Sequence, residues 1–372
     1  MLKKLIVIVG VVMTISLCST CGSNKSQLEA SEASKVSSNT NLARSKEAHP
    51  SQSKFYNTEI TYQTGLSNLW QIIKAYITTK RESPIPKAAI PVKVLSAKDL
   101  LDAPNNSLFK LGHSSILLKL EQQLILLDPV FSERASPVQW AGPKRFHQPP
   151  ISVEDLPQIS TVVISHDHYD HLDEGAIKAL NDKVEYFVVP LSVGKYLRKW
   201  GVESSKIVEL DWWQSTSIGE VEFIATPTQH FSGRGILDRD ETLWASWVVR
   251  SPESNVFFSG DSGYFSGFKT IGEKYGPFDL AMIETGAYNE LWSEIHMLPE
   301  ESIQAHFDVQ GKVMMPVHNG TFDLALHDWD EPLERVYQLA EEKGAYVAMP
   351  TFGQHYQIHS KQTSSPWWRA VK

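Results

Sequence analysis

At 372 residues the chain has the length of two domains or of one large α/β domain, and either buries a sizeable core. With 42% hydrophobic and 21% charged residues it has an ordinary globular composition. The net charge of −8 argues against a surface built to grip phosphate backbones, so nucleic acid is not an expected partner.

The amino end, Met1-Leu2-Lys3-Lys4 followed by the apolar stretch Leu5 to Leu17, has the layout of a secretory signal and is too short to cross a bilayer. Residues 1–21 are therefore expected to direct export to the cell envelope. The only two cysteines, Cys18 and Cys21, close this stretch, in a context that resembles a bacterial lipoprotein signal with Cys21 the preferred lipid-bearing residue. Thr20 stands where that signal normally has Gly, Ala or Ser, so ordinary export and an uncleaved anchor stay open beside the membrane-anchored lipoprotein. Residues 22–53 are crowded with Ser, Asn, Lys, Glu and Ala and read as a disordered tether from a membrane surface.

Residues 54–104 read as a helical extension: from Phe55 to Ile77 the apolar positions Ile60, Leu66, Leu69, Trp70, Ile73, Tyr76 and Ile77 recur at roughly helical spacing. Pro84, Pro86 and Pro91 mark an irregular connection to the domain proper, residues 105–360, with 361–372 as a tail. Strands are expected at Ser115–Leu120 and Gln123–Leu127, the second ending in Asp128-Pro129. The turn-rich stretch Pro137–Pro150 is long enough to line or cover a site. The β-branched run Thr161-Val162-Val163-Ile164 reads as a buried strand, and Glu174–Leu180 as a helix that Asp173 caps. A strand at Tyr186–Val189 and a helix near Val193–Trp200 follow, then strands at Ile207–Leu210, Val221–Ala225, Thr242–Val249 and Val256–Ser259. Strand-helix alternation first and strand pairs later predict an α/β fold of two mixed sheets covered by helices.

Between the buried strand and its helix lies His166-Asp167-His168-Tyr169-Asp170-His171. A strand alternates faces and a helix spreads residues around its axis, but a tight loop can aim several side chains at one place. Imidazoles with a carboxylate suit a zinc-like ion, and one catalytic ion usually takes three protein ligands, so four ligands in one loop suggest two ions. More ligands are then needed from other strand ends. His230 follows the strand Val221–Ala225, Asp261 stands in Ser259-Gly260-Asp261-Ser262-Gly263 after an apolar strand, and His318 follows Met314-Met315-Pro316-Val317.

In that order these ligands resemble the metallo-β-lactamase superfamily over roughly Asn105 to Ile358. The segments Leu111-Gly112-His113-Ser114-Ser115, Asp128 to Pro137, Gly142-Pro143-Lys144-Arg145-Phe146, Glu209 to Trp213, Gly276 to Leu280 and His318 to Phe322 are similar to the N-acylphosphatidylethanolamine-hydrolysing phospholipase D family within it. The resemblance implies a four-layer αβ/βα sandwich holding two zinc ions per subunit, one on His166, His168 and His230, the other on Asp170, His171 and His318, with Asp261 bridging. It also implies substrate contacts from Tyr169 and His296, a phospholipid substrate at a membrane surface, and a homodimer. The expected reaction is attack of a bridging hydroxide on phosphorus, oriented by Asp170 or Asp261, with His296 binding a phosphate oxygen or protonating the leaving oxygen. His113 is expected to support the ligands from behind; His147, His306, His327, His355 and His359 are read as surface or structural. One departure weakens the lipid reading: where the family has Glu-Pro-Arg after Gly-Ala-Tyr, this chain has Asn289-Glu290-Leu291, and leucine cannot hold phosphate as an arginine fork does. A lactonase or other ester hydrolase, or a non-catalytic zinc- or lipid-binding envelope protein, are the alternatives.

Overall fold

The computed structural model describes residues 54–60, 66–235, 237–360 and 364–372. The expected signal and tether, with both cysteines, lie outside the described residues.

Two helices precede the sheets. α1 (Leu66–Thr78) is amphipathic as its spacing predicts, burying Ile72 against Phe231, Trp292 and Leu326 while Trp70 and Ile77 face solvent. α2 (Ala97–Asp102) starts at Ser96, whose side chain and that of Asp99 cap each other's backbone amides. β1 (Ser107–Lys110), β2 (Ile116–Leu120) and β3 (Gln123–Leu127) form an antiparallel meander. β4 (Ile159–Val163), α3 (Glu174–Leu180), β5 (Val184–Pro190), α4 (Gly194–Lys199) and β6 (Ile207–Leu210) continue it as parallel strands with crossover helices.

β7 (Ser215–Ile218), β8 (Val221–Thr226), β9 (Ser246–Arg250) and β10 (Asn255–Phe258) form an antiparallel run. α5 (Gly267–Tyr275), β11 (Leu280–Glu284), α6 (Pro299–Asp308) and β12 (Met314–Val317) then add parallel strands, before α7 (Glu331–Lys343) and β13 (His355–Gln357). β13 returns to pair with β1, so the sheets are β13-β1-β2-β3-β4-β5-β6 and β12-β11-β10-β9-β8-β7.

Period-two alternation explains the layering. In β3, Ile125 and Leu127 face the second sheet and meet Phe223, Trp247, Phe258 and Met282, whereas Leu124 and Leu126 face α3 and pack with Ile177, Leu180 and Phe187. In β10, Phe258 joins the inter-sheet core and Phe257 the outer layer of Phe268, Ile303 and Val336. The result is the expected pair of mixed sheets, face to face, with helices outside.

Three local findings complete the fold. The strand expected from Thr242 enters the ladder only at Ser246, because Thr242 Oγ1 donates to Asp167 at 2.9 Å and the Ala245 amide donates to the Ser165 carbonyl at 2.9 Å. Those residues serve the metal loop instead of a neighbouring strand. Residues 54–60 run as a strap against the second sheet, where Asn57 bonds to the main chain of His230. At the other end of the chain, Trp368 is fully buried against α7 and its indole donates to Glu334 at 2.9 Å.

Candidate metal centre

The carboxyl ends of β3, β4, β8, β10 and β12 open onto one edge of the sandwich, and each ends in a residue that an ion or its ligands can use. Gly260 lets two of these ends meet. Its φ is +56°, and a Cβ there would stand 2.7 Å from Ser165 Cβ and 3.1 Å from the Ala245 carbonyl, so only glycine brings the Asp261 turn against the metal loop. Asp128 and His318 also hold positive φ, 41° and 63°, a cost the surrounding bonds sustain.

All seven residues read from the sequence as ligands come together, in two groups that share Asp261. The first has His166 Nε2 and His168 Nδ1 2.9 Å apart, His230 Nε2 3.3 Å from His168 Nδ1, and Asp261 Oδ2 3.7 and 3.8 Å from the His166 and His230 nitrogens. In the second, His318 Nε2 is 3.2 Å from Asp170 Oδ2 and 3.0 Å from Asp261 Oδ2, while His171 Nε2 is 3.6 and 3.1 Å from carboxylate oxygens of the same two residues. Ligands at about 2.0–2.1 Å from a tetrahedral ion stand roughly 3.3 Å from one another, so both groups have the size of an ion's coordination shell. The donor set asks for one: His171 Nε2 and Asp261 Oδ1 are buried and face each other without a hydrogen bond.

His113 departs from its expected supporting place. Its Nε2 lies 3.3 Å from Asp170 Oδ2, its ring is 3.9 Å from that of His318, and neither ring nitrogen has a hydrogen-bond partner. It stands with Asp170, His171 and His318 in a group whose ligand atoms all lie within 4.8 Å of one another.

The protonation states follow from burial and charge. Desolvation holds His168 down at about 4 and His113 at about 3, and pushes His166 and His230 well below the usual range, which leaves their lone pairs free for a cation. Burial would lower His171 and His318 too, but Asp261 and Asp170 beside both, with Asp128 beside His171, override it; His318 rises to about 10 and His171 well above its ordinary value. Two imidazolium charges thus offset the buried carboxylates, and metal binding would release those protons.

Several residues that hold the ligands carried no such mark in the sequence. Asp128, fully buried at the end of β3, accepts from His171 Nδ1 at 2.7 Å and from the Ser165 hydroxyl and amide, fixing the tautomer that turns His171 Nε2 inward. Asp-Pro closing an apolar strand was the available signal. Asp167 is in neither donor group; it accepts from the Gly233 amide at 2.8 Å and from the Thr242 hydroxyl, and so ties the metal loop to the segment after His230. His230 Nδ1 pairs with the Ile295 carbonyl at 3.0 Å.

Of the two expected substrate contacts, His296 stands partly exposed, its ring 5.1 Å from that of His230 and 5.2 Å from that of His318, with Nδ1 paired to Glu284. Tyr169 is half-buried, its hydroxyl donating to the Arg234 carbonyl at 2.8 Å and its ring beneath that guanidinium at 4.0 Å. Leu291, in the place of the family arginine, packs with Ile72 and Trp292. Among the remaining histidines, His147 and His306 are buried, His147 bonding Thr321 at 3.0 Å.

Residues 123–319 match the family described as the beta-lactamase superfamily domain. The chain belongs to this superfamily. This metallo-β-lactamase-fold hydrolase is 43% identical over 305 residues to an uncharacterised protein of Mycobacterium tuberculosis, the match covering 81% of this chain and 80% of the other. It is 33% identical over 296 residues to N-acyl-phosphatidylethanolamine-hydrolyzing phospholipase D 1 of Caenorhabditis elegans, covering 75% and 83%. A shorter match, 48% over 94 residues, covers 25% of this chain and 70% of the outer membrane protein RomA of Klebsiella pneumoniae. The solved metallo-hydrolase Igni18 of Ignicoccus hospitalis has the same fold, with a TM-score of 0.53 and 20% identity over 67% of this chain and 97% of that one. A metallo-hydrolase of this superfamily binds divalent metal, and the donor groups described above fit that requirement.

Proposed function

We propose that this metallo-hydrolase is a dinuclear zinc phosphodiesterase of phospholipase D type, which cleaves N-acylphosphatidylethanolamine to an N-acylethanolamine and phosphatidic acid. The observation that carries the reading is the pair of all-histidine-and-carboxylate donor groups joined through Asp261, with the partly exposed His296 between them. Imidazole and carboxylate donors at tetrahedral spacing suit zinc, and similarity to the nematode phospholipase D supplies the substrate class.

Bound there, two zinc ions would make water acidic at neutral pH and offset charge on a phosphoryl oxygen. The chain's own groups do the rest. Asp170, next to His113, His171 and His318, orients the attacking water. His296 offers its free ring edge to the leaving alkoxide, and Tyr169 lies at the rim beside Arg234. Leu291 favours a second reading, an ester or lactone hydrolase, because its own side chain packs among apolar residues and brings no cation to a phosphate.

The same proposal places the protein in the cell envelope, exported and lipid-anchored through Cys21 or Cys18, acting at a membrane surface as a homodimer; the name of the RomA relative supports an envelope location. Among the described residues no helix is long and apolar enough to cross a membrane.

The test is hydrolysis of N-acylphosphatidylethanolamine in detergent micelles by the purified zinc-loaded protein, beside a His166→Ala control. Release of N-acylethanolamine and phosphatidic acid by the intact protein alone is expected. Cleavage of a simple lactone with the phospholipid untouched would overturn the substrate in favour of the second reading.

A further inference from the structure

Glu284 is the last residue of β11, fully buried, and a carboxylate in that position needs partners. Its two oxygens divide them. One accepts the backbone amide of Ser262, the residue after the shared ligand Asp261; the other pairs with Nδ1 of His296. Burial raises the Glu284 carboxyl above its ordinary range, and the His296 charge opposes that rise. The His318 Nδ1 is 4.0 Å away, so the same carboxylate lies behind both the ligand shell and His296.

His296 differs from the ligand histidines around it. They are enclosed, whereas its side chain keeps 14% of its surface exposed. With Nδ1 occupied, Nε2 is the edge left to act, and it makes no hydrogen bond among the described residues. The segment that carries it is held in place: the Ile295 carbonyl accepts His230 Nδ1, and the Met297 amide donates to the Ser262 carbonyl at 3.1 Å.

We propose that Glu284 is a positioning residue for His296: its carboxylate takes the Nδ1 hydrogen and so presents a protonated Nε2 to the leaving oxygen of the phosphodiester. This inference rests on the phosphodiesterase reading. In the step it serves, the oxygen of the attacking water bonds to phosphorus and gives up one proton to solvent, and the bond from phosphorus to the leaving oxygen breaks. The Nε2 proton passes to that oxygen, and solvent water returns a proton to His296. A buried acid that orients a histidine through Nδ1 is the arrangement that makes a histidine an effective proton donor or acceptor at its other nitrogen.

The geometry predicts what an amide would do. In Glu284→Gln the Ser262 amide still requires an acceptor, so the carboxamide oxygen stays there and its NH2 turns to His296. The ring is then held as the neutral tautomer with hydrogen on Nε2, a far weaker acid than the imidazolium. The experiment compares the full-length, zinc-loaded wild type with Glu284→Gln, His296→Asn and the double variant on two phosphodiesters: N-acylphosphatidylethanolamine, whose leaving group is a poor alkoxide, and methyl p-nitrophenyl phosphate, whose leaving group is a good aryloxide. Zinc content and histidine-selective 15N and 1H NMR accompany the kinetics.

Glu284→Gln is expected to lower kcat on the phospholipid by about 100-fold or more, with KM little changed and the aryl ester affected less than about threefold. The double variant should be no slower than His296→Asn, zinc content should stay at the wild-type level, and a downfield Nδ1 proton present in the wild type should vanish in both single variants. Equal losses on the two esters, a loss of zinc, or an Nδ1 proton that persists in Glu284→Gln would overturn the assignment. The NMR comparison decides the pairing even if the wild type cleaves neither ester, an outcome that overturns the phosphodiesterase reading instead.

Discussion

The side chain of Asn57 clasps the main chain of His230, its Nδ2 donating to the His230 carbonyl at 2.8 Å and its Oδ1 accepting the His230 amide at 3.1 Å. The same Oδ1 accepts the Trp244 indole at 2.9 Å. A residue 173 positions away thus fixes the backbone of a metal ligand, and the strap before α1 is a wall of the centre. Asn57→Ala strips the His230 amide and carbonyl of their partner, while the Trp244 indole keeps the Thr228 carbonyl at 3.0 Å. It is expected to weaken binding of the ion on His166, His168 and His230 by about 10- to 100-fold, as loss of ligand-orienting contacts does. Chelator competition against the wild type reads this directly, and equal affinities would count against the strap's role.

Asp261 is the residue both donor groups share, so the two groups should respond differently to its loss and to that of a private ligand. Asp261→Ala is expected to lose both ions, whereas His171→Ala should lose only the ion on Asp170 and His318. Metal counted per chain after gel filtration distinguishes them. Retention of both ions in Asp261→Ala would mean that the two groups are independent.

Gly263 packs so closely that a methyl group there would overlap the Glu294 carbonyl, two residues before His296. Gly263→Ala should therefore displace the His296 segment, with an overpacking cost of about 1–3 kcal/mol and a larger fall in kcat than in zinc content. Thermal melts and zinc analysis of the variant test both halves of this expectation.

Lys110 lies buried beneath the His318 turn, donating to the Pro316 carbonyl at 3.1 Å and to Asn319 at 2.8 Å, and desolvation brings its pKa down to about 7. Between that value and the ordinary lysine pKa of about 10.4, the unfolded chain binds a proton that the folded chain does not, so this residue's contribution to stability rises with pH. The penalty is fully present below pH 7. The unfolding free energy of the wild type minus that of Lys110→Met should rise by up to about 1.4 kcal/mol per pH unit from pH 7 to 10. Urea unfolding of both proteins across that range checks it; a flat or falling difference would contradict the desolvation account.

The ligands were legible because metal chemistry permits few residue types and the fold delivers them at strand ends, so His166 to His171, His230, Asp261 and His318 could be picked out one apolar strand at a time. The sheets were legible because runs such as Leu124–Leu127 and Thr161–Ile164 are buried on both faces and so are nearly continuous in apolar or β-branched residues. What escaped is what tertiary contact alone creates. Glu284 carries no signal of its own until His296 is folded onto it, and Asn57 is a polar residue in a segment, Phe55 to Ile77, legible only through its apolar spacing. Thr242 to Ala245 has the composition of a strand, yet its backbone and hydroxyl bonds are claimed by the metal loop.

Each donor group draws on both halves of the sandwich. His166 and His168 follow β4 of one sheet, and His230 and Asp261 follow β8 and β10 of the other; likewise Asp170 and His171 face His318 and Asp261. A chain in which only one sheet had formed would offer an ion no more than the ligands of its own half, too few for a tight site at either position. A divalent metal held there would need both sheets in place, and would in turn join them at that end.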